Sequence, residues 1–218
     1  INQSNSNTLS ITGDVTTSAG SSHGFEFGSS DSNSITMTGD INTAGDNSNG
    51  FDLWSSDSNT ILMTGNITTT GVNQAKGIYL SDSNNNNFTI NGNITTSGTD
   101  GNSEPILLNN SDSNNFILST VVHSLGGDQA IAVDANSQNN TFTFKRGVSF
   151  IGGLENNGGT TNKLIFDMGK SASYSFDFDD TSWTMEDASK PIVEGSAKGM
   201  GVSDIDNQAH ILYRRMDP

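Results

Sequence analysis

The sequence predicts an all-β chain wound as a parallel β-helix, a solenoid with three short strands in each coil of about 26 residues. Two observations carry this. "SSDSNSITMTGDINTAGDNSNGFDLW" (Ser29 to Trp54) is followed at once by "SSDSNTILMTGNITTTGVNQAKGIYL" (Ser55 to Leu80), so the chain repeats itself. Within each repeat the apolar residues alternate with polar ones, which is the period of a strand and not of a helix. A unit that stacks on its own copies needs few core residues, which reconciles an apolar content of only 31% with a folded chain.

The first strand of each coil follows an asparagine in the pattern N-x-φ-x-φ. Asn7, Asn33, Asn59, Asn86, Asn114, Asn140 and Asn162 carry it, at steps of 26, 26, 27, 28, 26 and 22 residues. The pairs that follow are Leu9/Ile11, Ile35/Met37, Ile61/Met63, Phe88/Ile90, Phe116/Leu118, Phe142/Phe144 and Leu164/Phe166. A second strand centres on Val15, Ile41, Ile67, Ile94, Val122 and Val148, each eight residues past its anchor. In four coils a glycine (Gly13, Gly39, Gly65, Gly92) precedes it, where a bend favours a residue without a Cβ. The third strand is marked by Phe25/Phe27, Phe51/Leu53, Ile78/Leu80, Ile106/Leu108 and Ile131/Val133. The bends between strands are rich in Gly, Asn, Asp and Ser. Asparagines in register at ~4.8 Å are expected to form an amide ladder that holds the turn.

Residues 1–170 are read as coils, and 171–218 as a C-terminal β cap. There the repeat gives way to "SYSFDFDDTSWTMED" and a strand-like "AHILYRR". Terminal units of a solenoid cover open apolar edges. Tyr174, Phe176, Phe178 and Trp183 are the residues expected to do so. Ile1 precedes Asn7 by six positions, as Leu53 precedes Asn59, so it reads as the end of a preceding coil and the chain as a fragment of a longer solenoid.

Composition excludes several roles. The net charge is −15, and Lys76 is the sole Lys or Arg before Lys145, so nucleic acid and anionic membranes are unsuitable partners. There is no cysteine for a disulfide or thiolate metal site. No apolar run is long enough to cross a bilayer as a helix, and no direct membrane insertion is expected. Outward slots beside the anchors (Thr8, Ser10, Ser34, Thr36, Thr60, Thr89, Asn115, Thr141, Thr143) offer no carboxylate pair and no base for glycoside chemistry. Glu104 and Asp100 read as solvating a turn, and His23, His123 and His210 read as isolated. No catalytic residue and no cofactor is assigned. Asp31 and Asp57 would stack as adjacent carboxylates, which a calcium ion could bridge; the neutral Asn84 in the next slot favours a solvated turn, so no metal ligand is assigned.

With coils such as "NTLSITGDVTT" (Asn7 to Thr17), no cysteine, and "DDTSWTMED" and "ILYRR" near its end, the chain resembles the passenger domains of bacterial autotransporters. That resemblance implies a right-handed β-helix, display on the outer membrane or secretion, an autochaperone-like cap, and a translocator barrel downstream. Tailspikes and pectin-lyase-like enzymes share the architecture, so fold alone assigns no activity. The expected role is a non-enzymatic adhesin or self-association module, in cell aggregation, biofilm, virulence or host attachment. Its partner would be itself, a host surface protein or a glycan. Thr36, Trp54, Leu62, Thr89 and Ile117 are the candidate contact residues on outward coil faces. The alternatives are a glycan-processing β-helix with its active site in further coils, and a passive stalk carrying an effector.

Overall fold

The structure, a computed structural model, describes residues 1–167, 183–187 and 190–191. It is an all-β solenoid without helix among those residues, with coils stacked so that like strands pair. Three parallel sheets result. The first holds Thr8–Thr12, Ser34–Thr38, Thr60–Thr64, Asn87–Asn91, Asn115–Leu118, Thr141–Lys145, Lys163–Asp167 and Thr184–Asp187, closed by an antiparallel Lys190–Pro191. The second runs from Val15–Thr17 to Ser149–Ile151, and the third from Phe25–Gly28 to Leu154–Asn156.

Registers follow the asparagine anchors. Ile35 pairs with Ile61, Ile61 with Phe88, Phe88 with Phe116 and Phe116 with Phe142, so each apolar slot becomes a buried column. Within it the rings of Phe88, Phe116 and Phe142 stack at 4.9 Å between successive centroids. That spacing is the strand separation itself, so stacking adds to burial without adjusting the backbone. Ile11, Met37, Met63, Ile90, Leu118, Phe144 and Phe166 form the second interior column of the same sheet.

The turn before each anchor is held by side chains. The backbone N–H of each anchor donates to the next anchor's Oδ1 at 2.8–2.9 Å, from Asn7 through Asn162. From Asn59 on, each anchor's Nδ2 also donates to the carbonyl of Ser30, Ser56, Ser83, Ser111 or Ser137 in the preceding coil, at 2.8–2.9 Å. These serines make a ladder of their own, the amide of one donating to the Oγ of the next at 2.9–3.2 Å. Buried amides that lack strand partners are thereby satisfied.

Two details depart from the repeat as read. In the sixth coil the residue paired with Val122 is Phe150, not Val148, although Val148 is also buried. The turn after Lys145 is longer there, with Gly147 at φ +101, and the connection from the second to the third strand shrinks to Gly152 and Gly153. The coil also completes a third strand at Leu154–Asn156, paired with Ile131–Val133, which the sequence pattern does not reveal.

Of the expected cap, all but 183–187 and 190–191 lies outside the described residues, including Tyr174, Phe176, Phe178 and the Ala209 to Arg215 segment. Trp183 is buried where the next anchor would stand: Thr184 donates to the carbonyl of Asn162 at 3.0 Å, as Lys163 does to Asn140 at 2.8 Å. Its ring meets Phe142 edge-on at 5.6 Å, and its Nε1 donates to the Leu154 carbonyl at 3.2 Å.

Candidate functional site

The outward side of the first sheet is a flat wall of side chains that the fold leaves free. Alternation sends every second residue of these strands away from the core, and parallel pairing sets them in columns. The central column reads Ser10, Thr36, Leu62, Thr89, Ile117, Thr143, Ile165 and Glu186. From Thr36 to Ile165 it alternates threonine with an aliphatic residue. One flanking column is Thr8, Ser34, Thr60, Asn87, Asn115, Thr141, Lys163 and Thr184. Charges gather at the C-terminal end, where Lys145 pairs with Asp167 and Lys163 lies 3.0 Å from Glu186.

Four of the five contact residues expected from sequence, Thr36, Leu62, Thr89 and Ile117, are consecutive in this central column. Leu62 is 39% exposed. Trp54 is elsewhere: it faces outward from the third sheet, in register with Gly28 and Ser81. One column therefore holds four of them and a different face holds the fifth.

The Asp31 and Asp57 column is organised by amides. The backbone N–H of each coil donates to the side-chain oxygen of the coil before it, Asp31 to Asn5, Asp57 to Asp31, Asn84 to Asp57, Asp112 to Asn84 and Gln138 to Asp112, at 2.6–2.8 Å. Among the described residues no three acidic or imidazole side chains converge as metal ligands would.

A second cluster corrects the reading of His23 and Glu104. The residues just before the third strand stack as His23, Asn49, Lys76 and Glu104, because Gly24, Gly50, Gly77 and Pro105 follow them in register. His23 is not isolated: its Nδ1 lies 3.2 Å from Asp52 Oδ2 and accepts the Asn49 amide at 3.1 Å. Asn49 Nδ2 donates to the same Asp52 oxygen at 2.7 Å. Burial raises the Asp52 carboxyl above the usual aspartate range, with His23 and Asn49 acting against it. Lys76 is buried, its Nζ donating to the Asn102 carbonyl at 2.8 Å and standing 5.4 Å from the centre of the Tyr79 ring. Desolvation lowers the Lys76 ammonium below the usual lysine range, and the carboxylates of Glu104, Asp100 and Asp52 oppose that. Glu104 does not simply solvate a turn, since its Oε2 is buried without a hydrogen-bond partner and burial raises its carboxyl. Asp100 is the exposed member, held below the usual aspartate range by Ser103 and the amides of Gln74 and Asn102, which outweigh desolvation. Aligning the chain on Gly24, Gly50 and Gly77 would have brought His23, Asn49 and Lys76 together, whereas Glu104 precedes Pro105 and carries no such mark.

Comparison with protein-family models, with curated proteins and with solved structures returned no match. Function has to be read from the chain's own surface.

Proposed function

We propose that this chain is the β-helical passenger of a bacterial autotransporter, secreted or displayed on the cell surface, and acts as a non-enzymatic adhesin or self-association module through the wall of its first sheet. The observation that supports this reading is the central column running from Thr36 to Ile165, in which threonine and aliphatic residues alternate across six paired strands. Such a column is self-complementary: a second wall laid on it antiparallel sets each aliphatic residue against a threonine. Flanking hydroxyl and amide columns supply hydrogen bonds without a cluster of like charges.

The magnitude fits a weak, repeated contact. The seven spacings of ~4.8 Å between eight strands, with five residues at ~3.3 Å along each, give a wall of ~550 Å². Two such walls bury about 1,100 Å² together, just under the ~1,200–2,000 Å² of stable interfaces. Many displayed copies then bind by avidity.

The test is to display the chain on otherwise non-aggregating bacteria and record how fast the culture settles, with and without Thr36→Lys, Leu62→Lys and Thr89→Lys together. Rapid settling lost in the triple variant, with unchanged circular dichroism and melting, is the expected result. Settling that persists in a folded triple variant would remove this wall as the contact. A chain that never settles cells would favour a heterologous ligand or a stalk role.

A further inference from the structure

We infer that the outward face of the third sheet carries a second, independent binding site: a shallow subsite for a neutral or amino pyranose, with the Trp54 indole as its stacking platform. Trp54 is 39% exposed, yet its ring is seated. The neighbouring strand presents Gly28 in register, and a Cβ there would come within 2.3 Å of Trp54 Cζ2 and 2.6 Å of Cε2. The indole therefore lies across the backbone of the preceding coil. The ring packs against Gly28, and more than a third of the residue stays open to solvent. Its Nε1 reaches Glu26 Oε1 at 3.4 Å, which fixes the rotation of the ring. A flat aromatic already immobilised loses little further entropy when a ligand covers it.

The groups around the ring are of the kinds that meet sugar hydroxyls. Ser81 is paired with Trp54 on the following strand, and Asn109 with Ser81 on the next. Tyr79, two residues before Ser81 and on the same face, accepts the Asn109 amide at its hydroxyl at 3.4 Å. Ser81 Oγ is 3.4 Å from Asp82 Oδ2. Hydroxyl, amide and carboxylate thus line one side of the platform, and Glu26 the other. Such a set donates and accepts in turn, as a polyol requires.

Charge narrows the ligand. Glu26 and Asp82 carry the rim, with the Asp52 carboxyl buried behind it, and the Lys76 ammonium is buried beneath Tyr79. Uronic and sialic acids would be repelled; neutral hexoses, N-acetylated sugars and free amino sugars would not. An arginine-rich peptide would also suit an indole beside carboxylates. The neutral amide and hydroxyls of Asn109, Ser81 and Tyr79 favour the sugar, because guanidinium has no acceptor to offer their donors.

The test is titration of the purified chain with N,N′,N″-triacetylchitotriose, cellotriose, mannotriose and chitosan trimer. Trigalacturonic acid, 3′-sialyllactose and hexa-arginine serve as comparisons, and tryptophan emission is the readout. The second tryptophan, Trp183, is buried, so Trp54 carries the response. At least one neutral or amino sugar should shift the emission with a dissociation constant of ~1 mM, the strength of one stacked ring with a few hydrogen bonds. Isothermal titration should show binding weakened by about tenfold or more in Trp54→Ala, and also in Gly28→Ala, which lifts the indole without removing it. The Thr36, Leu62 and Thr89 lysine variant should bind the sugar unchanged, so the outcome is independent of the self-association reading. No response to any of the four sugars, a response that survives Trp54→Ala, or tighter binding of hexa-arginine than of every sugar would each overturn the proposal.

Discussion

Replacing Asn86 by alanine isolates what the anchor ladder contributes. Asn86 Oδ1 accepts the Asn59 amide at 2.8 Å and Asn59 Nδ2 at 3.1 Å, and its Nδ2 donates to the Ser56 carbonyl at 2.9 Å. All three residues are fully buried. Asn59 Nδ2 keeps a second partner in the Ser30 carbonyl. The substitution therefore strands two buried backbone groups, the Asn59 N–H and the Ser56 C=O. At ~1–3 kcal/mol for each stranded group, the loss is about 2–6 kcal/mol, whereas truncation of the exposed Thr36 should stay within ~0.5 kcal/mol. Urea denaturation followed by far-ultraviolet circular dichroism reads the shift, and hydrogen exchange at the Asn59 amide locates it. Asn86→Asp refines the test, since it keeps the acceptor but sets a carboxylate oxygen against the Ser56 carbonyl. Its buried carboxyl would be pushed up, so stability would be present at acid pH and lost as pH rises through the folded value. If Asn86→Ala unfolds at the same urea concentration as Thr36→Ala, the ladder does not hold the coils and the reasoning fails.

Gly65 and Gly13 occupy the same bend with φ of +138 and +122, but a Cβ at Gly65 would come 2.0 Å from the Gly39 carbonyl while one at Gly13 meets nothing within 4 Å. Gly13→Ala should cost only the ~1–2 kcal/mol of backbone strain, and Gly65→Ala clearly more, as thermal melts of the two will show. Ser124 occupies the slot where Thr43 and Thr69 donate to the carbonyls of Ser48 and Ala75 at 2.8 Å, yet its own Oγ is buried without a partner. Ser124→Ala should be neutral or stabilising by up to ~1 kcal/mol, and Thr43→Val destabilising by ~1–3 kcal/mol, in the same melts. Lys76→Met removes the ammonium that opposes the burial of Glu104 and Asp52, whose carboxyls are already raised. A raised carboxyl contributes stability below its unfolded value that is lost as pH rises through the folded one. The variant should therefore lose stability more steeply than the parent from acid to neutral pH, and parallel profiles of melting temperature against pH would refute this.

The solenoid was legible because a buried polar residue marks each coil. Asn33 or Asn59 cannot move by one position without flipping its apolar pair to solvent, so the anchor fixes register for everything that follows it closely. Thr36, Leu62, Thr89 and Ile117 fell into one column for that reason. Legibility declines with distance from the anchor. The residues added in the third and fourth coils fall within 70–77 and 97–105, between the second and third strands. Lys76 and Glu104 therefore stand 17 and 18 residues past their anchors, against 16 for His23 and Asn49, and the four look unrelated in the sequence. Phe150 was displaced in the same way, by the longer turn around Gly147. Trp54 sits at the far end of its coil, and its seat on Gly28 depends on a glycine one coil earlier that no alternation pattern flags.

The turn before each anchor shows why successive coils resemble one another. Between Ser29 and Asn33 every amide has one definite partner. Ser29 and Ser32 donate to the carbonyls of Trp54 and Asp57 in the next coil. Ser30 and Asn33 donate to side-chain oxygens in the next coil, and Asp31 donates back to Asn5 in the coil before. Ser29 and Ser32 hold φ of +47 and +58, a left-handed conformation that costs ~1–2 kcal/mol per residue and that these bonds maintain. Three slots of the turn thus require a side chain that ends in an oxygen acceptor at a fixed reach, which confines them to Ser, Asp, Asn or Gln. The slot of Asp31 is filled by Asn5 and Asn84 in other coils, whose Oδ1 atoms accept the amides of Asp31 and Asp112 as Asp31 Oδ1 accepts that of Asp57. What it requires is an oxygen, and the charge is incidental. No such requirement reaches the outward slots of the first sheet, where threonine, asparagine, leucine and isoleucine follow one another without altering a backbone bond. Amide accounting makes the turns repetitive, and freedom from it lets the wall vary from coil to coil.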